Sequence, residues 1–296
     1  MTHHKPIACS RILITGLVRN VAKLLESEIL KIHNAFANFK EISFFIVESD
    51  STDDTLRQLE KLSASNLNFN YVSLGKLENK IPERIERLAY CREVCASFTR
   101  ERISAYDYVC VADLDGTNDL LNVNAVTSCW DNNEWDVCTA NQEGSYYDVY
   151  ALRHETWCPR DYNLDIFLLE SQGYHPMRAR RQAVLKRQRK IRKGSDWIQV
   201  ESAFGGLAIY TSSAFAVGRY SHIDPIDGNI VCEHVTFHKL IRQVGGRIYI
   251  NPNLINHKAK IYGSSLGELR YVVRYIMSWI SPKGFKKWEI SRAIKN

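Results

Sequence analysis

The chain has 296 residues, 45% of them hydrophobic and 24% charged, which suits one large α/β domain or two small ones. No apolar run approaches the roughly 20 residues that a bilayer-spanning helix needs, and Arg19 interrupts the apolar stretch at Ile12–Val18, so that stretch reads as a strand and not as a secretion signal. The net charge of +6 is uneven: residues 178–193 carry nine basic side chains and no acid, and the tail from Ser264 carries seven against Glu268 and Glu289, which leaves the body acidic.

In chain order, Ile12–Thr15 predicts a short strand ending at Gly16. Apolar residues at helical spacing over Val21–Phe39 predict a helix, and the continuous apolar run Ile42–Val47 predicts a strand buried on both faces. Ser51-Thr52-Asp53-Asp54 supplies the N-cap of a helix through Leu62. Phe69–Ser73 predicts a third strand, Pro82 opens a helix to about Arg100, and Tyr106–Ala112 predicts a fourth strand that ends on aspartates. This alternation implies a mostly parallel sheet with helices on both faces, whose ligands bind beyond the carboxyl ends of the strands. The polar residues Thr15, Glu48-Ser49-Asp50, Asp113 and Asp115 fall where that rule puts a site.

The second half is less regular. Trp135–Ala140, Tyr146–Leu152 and Phe204–Tyr210 read as strands, the last with Gly205-Gly206 permitting close backbone approach. Asp161–Lys193 reads as a partly helical insertion. Glu233–Val244 reads as a helix stopped by Gly245-Gly246, followed by a strand at Arg247–Asn251 and an amphipathic segment at Leu266–Ile280. The eight cysteines contain no Cys-x-x-Cys pair, which argues against a zinc knuckle and favours a reducing, cytoplasmic setting.

Asp113-Leu114-Asp115 closes an apolar strand, so both carboxylates lie near one edge while Leu114 points inward. A hard divalent cation often bridges phosphates with only one or two protein carboxylates, and two acids at this spacing can hold Mn²⁺ or Mg²⁺ against a diphosphate. The same residues with Gly116-Thr117 also match the nucleophile loop of haloacid-dehalogenase-type phosphatases, with Asp113 as the phosphorylated residue. That loop usually follows the first strand of its domain, whereas three strand–helix units precede this one. Glu48–Thr55 sets acids and hydroxyls at a strand end, where they suit both helix capping and contacts to a nucleoside.

Taken together, Glu48–Thr55, Arg87-Leu88-Ala89-x-x-Arg92 and Asp113–Asp115, in that order and after Arg19-Asn20, resemble the glycosyltransferases of the GT-A fold over about residues 10–260. A narrower resemblance, to the capsule-associated α-1,3-mannosyltransferase-like group, rests on Tyr147-Asp148-x-x-Ala151-x-Arg153, Gly205-Gly206, Glu233 and Asn251-Pro252. Members of that group are usually membrane-anchored, and this sequence shows no anchor. The resemblance implies a GT-A-like domain over 1–262, with a Rossmann-like nucleotide-sugar half (about 10–118) and an acceptor half (119–262). It further implies that Glu48 and Asp53 contact the nucleoside with Thr15 and Arg19 nearby, and that Arg87 and Arg92 face the diphosphate. Asp113 would serve ribose or metal, Asp115 would be the main metal ligand, and His257 a late one. Glu233, or alternatively Asp148, would be the acceptor-side carboxylate, the general base if configuration is inverted. His234 and His238, one helical turn apart, fit a half-buried helix face better than a metal site.

The donor expected on this reading is a UDP- or GDP-sugar, and the acceptor a glycan or a lipid-linked molecule. The basic insertion 178–193 suits a solvated helix, a lid over the diphosphate, or contact with an anionic acceptor. The basic, aromatic tail 263–296 suits peripheral contact with a membrane surface and equally a final helix packed on the domain. Nucleic acid is not expected, because no recognition fold accompanies the charge. Two other functions stay open: the phosphatase, and a non-catalytic basic module that binds surfaces.

Overall fold

The computed structural model describes residues 4–65 and 68–258. The amphipathic segment 266–280 and the tail's expected membrane contact lie outside the described residues.

The first strand, β1 (Arg11–Val18), leads through α1 (Leu25–Ala35) to β2 (Glu41–Glu48), α2 (Thr55–Ser63) and β3 (Phe69–Ser73). Then follow α3 (Arg84–Glu101), β4 (Tyr108–Asp113), α4 (Val123–Thr127) and β5 (Val137–Glu143). A two-helix insertion, α5 (Tyr162–Ser171) and α6 (Pro176–Ala183), precedes β6 (Ile198–Val200), β7 (Leu207–Thr211), α7 (Ser212–Val217), α8 (Glu233–Gln243) and β8 (Ile248–Lys258).

All eight strands join one sheet in the order β3-β2-β1-β4-β7-β5-β8-β6. β1 to β4 run parallel, and β7 enters antiparallel between β4 and β5. β8 is parallel to β5, and β6 closes the edge in the opposite direction. The sheet is therefore mostly parallel, as the alternation in the first half predicts.

The pleat assigns the core. On β1, Ile12 and Ile14 face the cluster that buries Leu25, Ile29 and Ile32 of α1 and Leu59 of α2, whereas Leu13 faces Cys91 and Cys95 of α3. Phe44 and Ile46 of β2 point one way, Phe45 and Val47 the other. Strands covered on both faces read as unbroken apolar runs, which is why β2 and β4 are plain in the sequence.

Four boundaries differ from the sequence reading. β1 does not end at Gly16 but runs to Val18. Gly16 lies inside the strand because a Cβ there would sit 2.6 Å from the Leu114 side chain and 2.7 Å from the Ala112 carbonyl oxygen. The segment 146–152 is not a strand: it turns, with the Tyr146 amide donating to the Arg189 carbonyl and the Ala151 amide donating to Asp148 Oδ1. Gly205 and Gly206, at φ of 68° and 85°, form the turn before β7 and not part of it. Finally, Pro252 does not end the last strand. β8 carries it through at register shifts opposite Thr139–Gln142, where an irregularity spares the ladder the missing N–H.

Candidate functional site

The carboxyl ends of β1, β2 and β4 and the first turns of α3 enclose a cleft of about 400 Å³, lined among others by Arg19, Asp50, Arg84, Arg87, Asp113 and Asp115. That volume is in the range of small-molecule sites. Asp115 is exposed and has no hydrogen bond or ion pair to another described residue.

Asp113, the last residue of β4, is braced from behind. Arg92 of α3 donates from Nη2 to Asp113 Oδ1 (2.9 Å) and from Nε to Glu233 Oε1 (2.8 Å), and its guanidinium lies 5.1 Å from the centre of the Phe204 ring. Burial alone would favour a neutral guanidine, yet the two carboxylates hold Arg92 firmly charged. Burial pushes the Asp113 carboxyl up to about 6; Arg92 works against that rise and the neighbouring Asp115 adds to it. Arg92 therefore does not face the cleft as a free phosphate ligand.

Glu233, the first residue of α8, is buried in that ion pair, and its second oxygen lies 3.6 Å from the Cys232 thiol. The other candidate acid, Asp148, is partly exposed. It accepts from the Gly205 amide (2.9 Å) and the Ala151 amide (3.2 Å), which fix the turn before β7 to the loop after β5. Burial raises its carboxyl above the ordinary range, against those two hydrogen bonds. Beside it, burial and the charges of Asp113, Asp148 and Asp115 keep the Tyr147 phenol neutral, a donor at any physiological pH.

The β2–α2 loop shows how the acidic stretch is spent. Glu48 is buried, accepting from the Ser51 amide (2.9 Å) and the Ser73 hydroxyl. Asp53 accepts from the amide of Thr55 (3.0 Å) and that of Ala22 (3.2 Å), which ties the loop to the residues after β1. Asn20, at φ 54°, accepts from the Thr52 amide (2.7 Å). Asp50, at φ 60°, lines the cleft, accepts from the Glu78 amide (2.8 Å) and lies 3.7 Å from Arg87 Nε. Arg19 pairs with Glu78 at the cleft mouth (3.0 Å).

Thr15 is not at the site: it is buried in the middle of β1, with its hydroxyl 3.5 Å from the Cys110 carbonyl. His257 Nδ1 sits 2.5 Å from Asp119 Oδ1, and among the described residues no three His, Cys, Asp or Glu side chains are grouped to hold a metal ion. His234 and His238 are wholly buried and not half-buried. His238 is held between the Ser202 and Tyr210 hydroxyls (2.9 Å each), and burial lowers its imidazole to about 3. His234 stacks on Phe204 (3.8 Å).

Arg84, at the mouth of the cleft, was not singled out from the sequence. The signal was there: Arg84, Arg87 and Arg92 follow i, i+3, i+8 and so share one face of α3.

No protein-family model and no curated protein matches the chain. Among solved structures it is similar to residues 1–349 of TarS from S. aureus, with 14% identity and a TM-score of 0.45 over 90% of this chain and 64% of that one. It is similar to the mannosyltransferase PcManGT from Pyrobaculum calidifontis, solved with GDP-Man and Mn²⁺, with 13% identity and a TM-score of 0.46 over 99% and 67%. It is also similar to glucosyl-3-phosphoglycerate synthase from Mycobacterium tuberculosis, solved with UDP, with 12% identity and a TM-score of 0.38 over 91% and 79%. The chain thus spans less than two thirds of the TarS segment.

Proposed function

We propose that the cleft receives the diphosphate of a nucleotide sugar, and that the chain is a GT-A-type glycosyltransferase delivering the sugar to a glycan or lipid-linked acceptor with the help of Mn²⁺ or Mg²⁺. The observation that carries this reading is the charge arrangement at the strand ends, where Asp113 and the unpartnered Asp115 share one cleft with Arg19, Arg84 and Arg87. Clefts beyond the carboxyl ends of a parallel sheet are where such ligands bind.

The donor set fits a hard divalent ion. Two carboxylates supply oxygen ligands, and phosphate oxygens with water complete the shell in sites of this kind. When bound, the metal would offset the negative charge that develops on the departing nucleoside diphosphate. Asp115 is its main proposed ligand and Asp113 the second. His257 is held by Asp119 through Nδ1, which leaves Nε2 free, and it stays the proposed late ligand. Arg92 orients Asp113, and Arg84 is the main phosphate-binding cation. Arg87, whose Nη1 is held by the Ile81 and Pro82 carbonyls, has Nη2 left for a phosphate oxygen, and Arg19 would exchange Glu78 for one. Glu48 and Asp53 shape the loop beside which Asp50 lines the cleft. On the acceptor side Asp148 is favoured over Glu233. It is partly exposed and its proton affinity is raised towards the working pH, whereas Glu233 is buried under Arg92.

Thermal melting with UDP- and GDP-sugars, with and without Mn²⁺, tests the reading. A ligand that binds only the folded chain raises the melting temperature with its concentration, and the rise should need metal and vanish in Asp115→Ala. A shift that survives in metal-free buffer and in Asp115→Ala would overturn it. Stabilisation by beryllium fluoride, a mimic of aspartyl phosphate, would instead support the phosphatase with Asp113 as nucleophile.

A further inference from the structure

Helix α5 is apolar on two sides, and the described chain uses one. Tyr162, Ile166 and Leu169, at i, i+4, i+7, pack with Val149, Ala183 and Val184. On another face Leu164 is 44% and Phe167 66% exposed, and Tyr174, just past the helix end, is 40% exposed. Positions 164 and 167 lie one turn apart on the side of α5 opposite its packed face, and Gly173, at φ 84°, turns the chain before Tyr174. A surface helix that packs by one face ordinarily keeps the opposite face polar, and an apolar stripe left in water marks an interaction surface.

The charge around that stripe is predominantly basic. From Ser171 to Ser195 the chain has no acidic residue. Arg180, Lys186, Lys190, Arg192 and Lys193 are exposed, and Arg180 lies close enough to Tyr162 of α5 to act on its phenol. Of the two acids on α5, Asp165 is buried and neutralised by Arg160 and Arg187, which leaves Glu170 as the exposed one. The hairpin is also firmly attached: the Trp157 indole donates to the Arg187 carbonyl (2.6 Å) and the Gln188 amide donates to the Tyr147 carbonyl (3.2 Å). It is thereby tied to the segment that carries Asp148.

We propose that the α5–α6 hairpin docks on an anionic lipid bilayer, with Leu164 and Phe167 entering the headgroup boundary and Arg180 and its neighbours meeting acidic headgroups. Two side chains offer far less than the roughly 800 Å² per partner of a stable protein interface. A bilayer needs no matching groove, and there apolar insertion and cationic attraction add to one another. The proposal goes beyond the transferase reading and does not depend on it.

Co-sedimentation of the full chain with phosphatidylcholine vesicles, with and without phosphatidylglycerol, tests it without any activity assay. The chain should bind only the vesicles containing phosphatidylglycerol and should release in high salt. Phe167→Asp and Arg180→Glu should each weaken binding about tenfold, at unchanged melting temperature because both residues are exposed. Equal binding to both vesicles, or none, would overturn the proposal. So would two other results. In the first, Phe167→Asp binds like wild type while removal of residues 263–296 abolishes binding, which makes the tail the anchor. In the second, Phe167→Asp splits an oligomer in sedimentation velocity, which makes the stripe a contact between two copies.

Discussion

Replacing Arg92 by Met tests whether the ion-pair fork behind Asp113 is a structural brace. The side chains of Arg92 and Glu233 are 8% and 7% exposed, whereas that of Asp113 is 34% exposed. Methionine keeps an apolar stem beside Phe204 but leaves Glu233 charged and buried with no cation. Removing one member of a buried pair costs about 3–5 kcal/mol, and the more exposed Asp113 adds little because solvent screens it. Glu233 can relieve part of the cost by taking a proton, so about 3 kcal/mol is expected at pH 8. For a chain of this size that corresponds to a fall of roughly 6–12 °C in melting temperature. The pH dependence has a definite sign. Stranding Glu233 raises its folded-state pKa above the unfolded value, so the folded state binds the extra proton and the deficit grows as pH rises from the acid range. The variant should therefore lose less at pH 5 than at pH 8. Arg92→Met/Glu233→Met should recover most of the loss, because it removes the stranded charge. Circular-dichroism melts at both pH values read all three. A loss below about 1 kcal/mol at pH 8, the size of a surface pair, would refute the reasoning, and so would a loss independent of pH or a double variant no better than the single.

Three further outcomes follow from the same geometry. Asp113 titrates near 6 in the folded chain, so protons compete with its proposed metal, and Mn²⁺-dependent nucleotide binding should strengthen as pH rises through about 6; calorimetry giving one affinity at pH 5 and pH 7.5 would contradict this. Gly205→Ala should destabilise by at least about 2 kcal/mol, because at φ 68° its Cβ would sit 2.6 Å from the Gln142 amide nitrogen and 2.7 Å from the Ala140 carbonyl oxygen. A melting temperature within error of wild type would show that the turn yields. Glu48→Ala should cost about 1–3 kcal/mol by leaving the Ser51 amide and the Ser73 hydroxyl without their acceptor. A stability loss in urea unfolding separates this bracing role from one confined to the ligand, which would weaken binding alone.

The sheet's first half was legible because its strands are covered on both faces, so β2 and β4 appear as apolar runs and their polar ends mark the cleft. Asp113 and Asp115 could be found for the same reason. The segment 146–152 misled because its apolar residues pack against the insertion and the β7 turn through loop geometry that no strand period encodes. Thr15 was misplaced by reading Gly16 as a stop, when that glycine answers to Ala112 on the neighbouring strand and to Leu114 just past its end.

By itself the sequence determined the order of strands and helices and the placing of acids at the strand ends. Those follow from local periodicity, which a chain carries in its nearest few residues. Only the tertiary structure decided which of these polar groups are braces and which are free. Arg92 meets Asp113 and Glu233, the latter 141 residues away, because β7 inserts antiparallel beside β4 and brings the start of α8 against α3. Burial and charge partners depend on which strands become neighbours, and that leaves no mark in the local pattern of either segment.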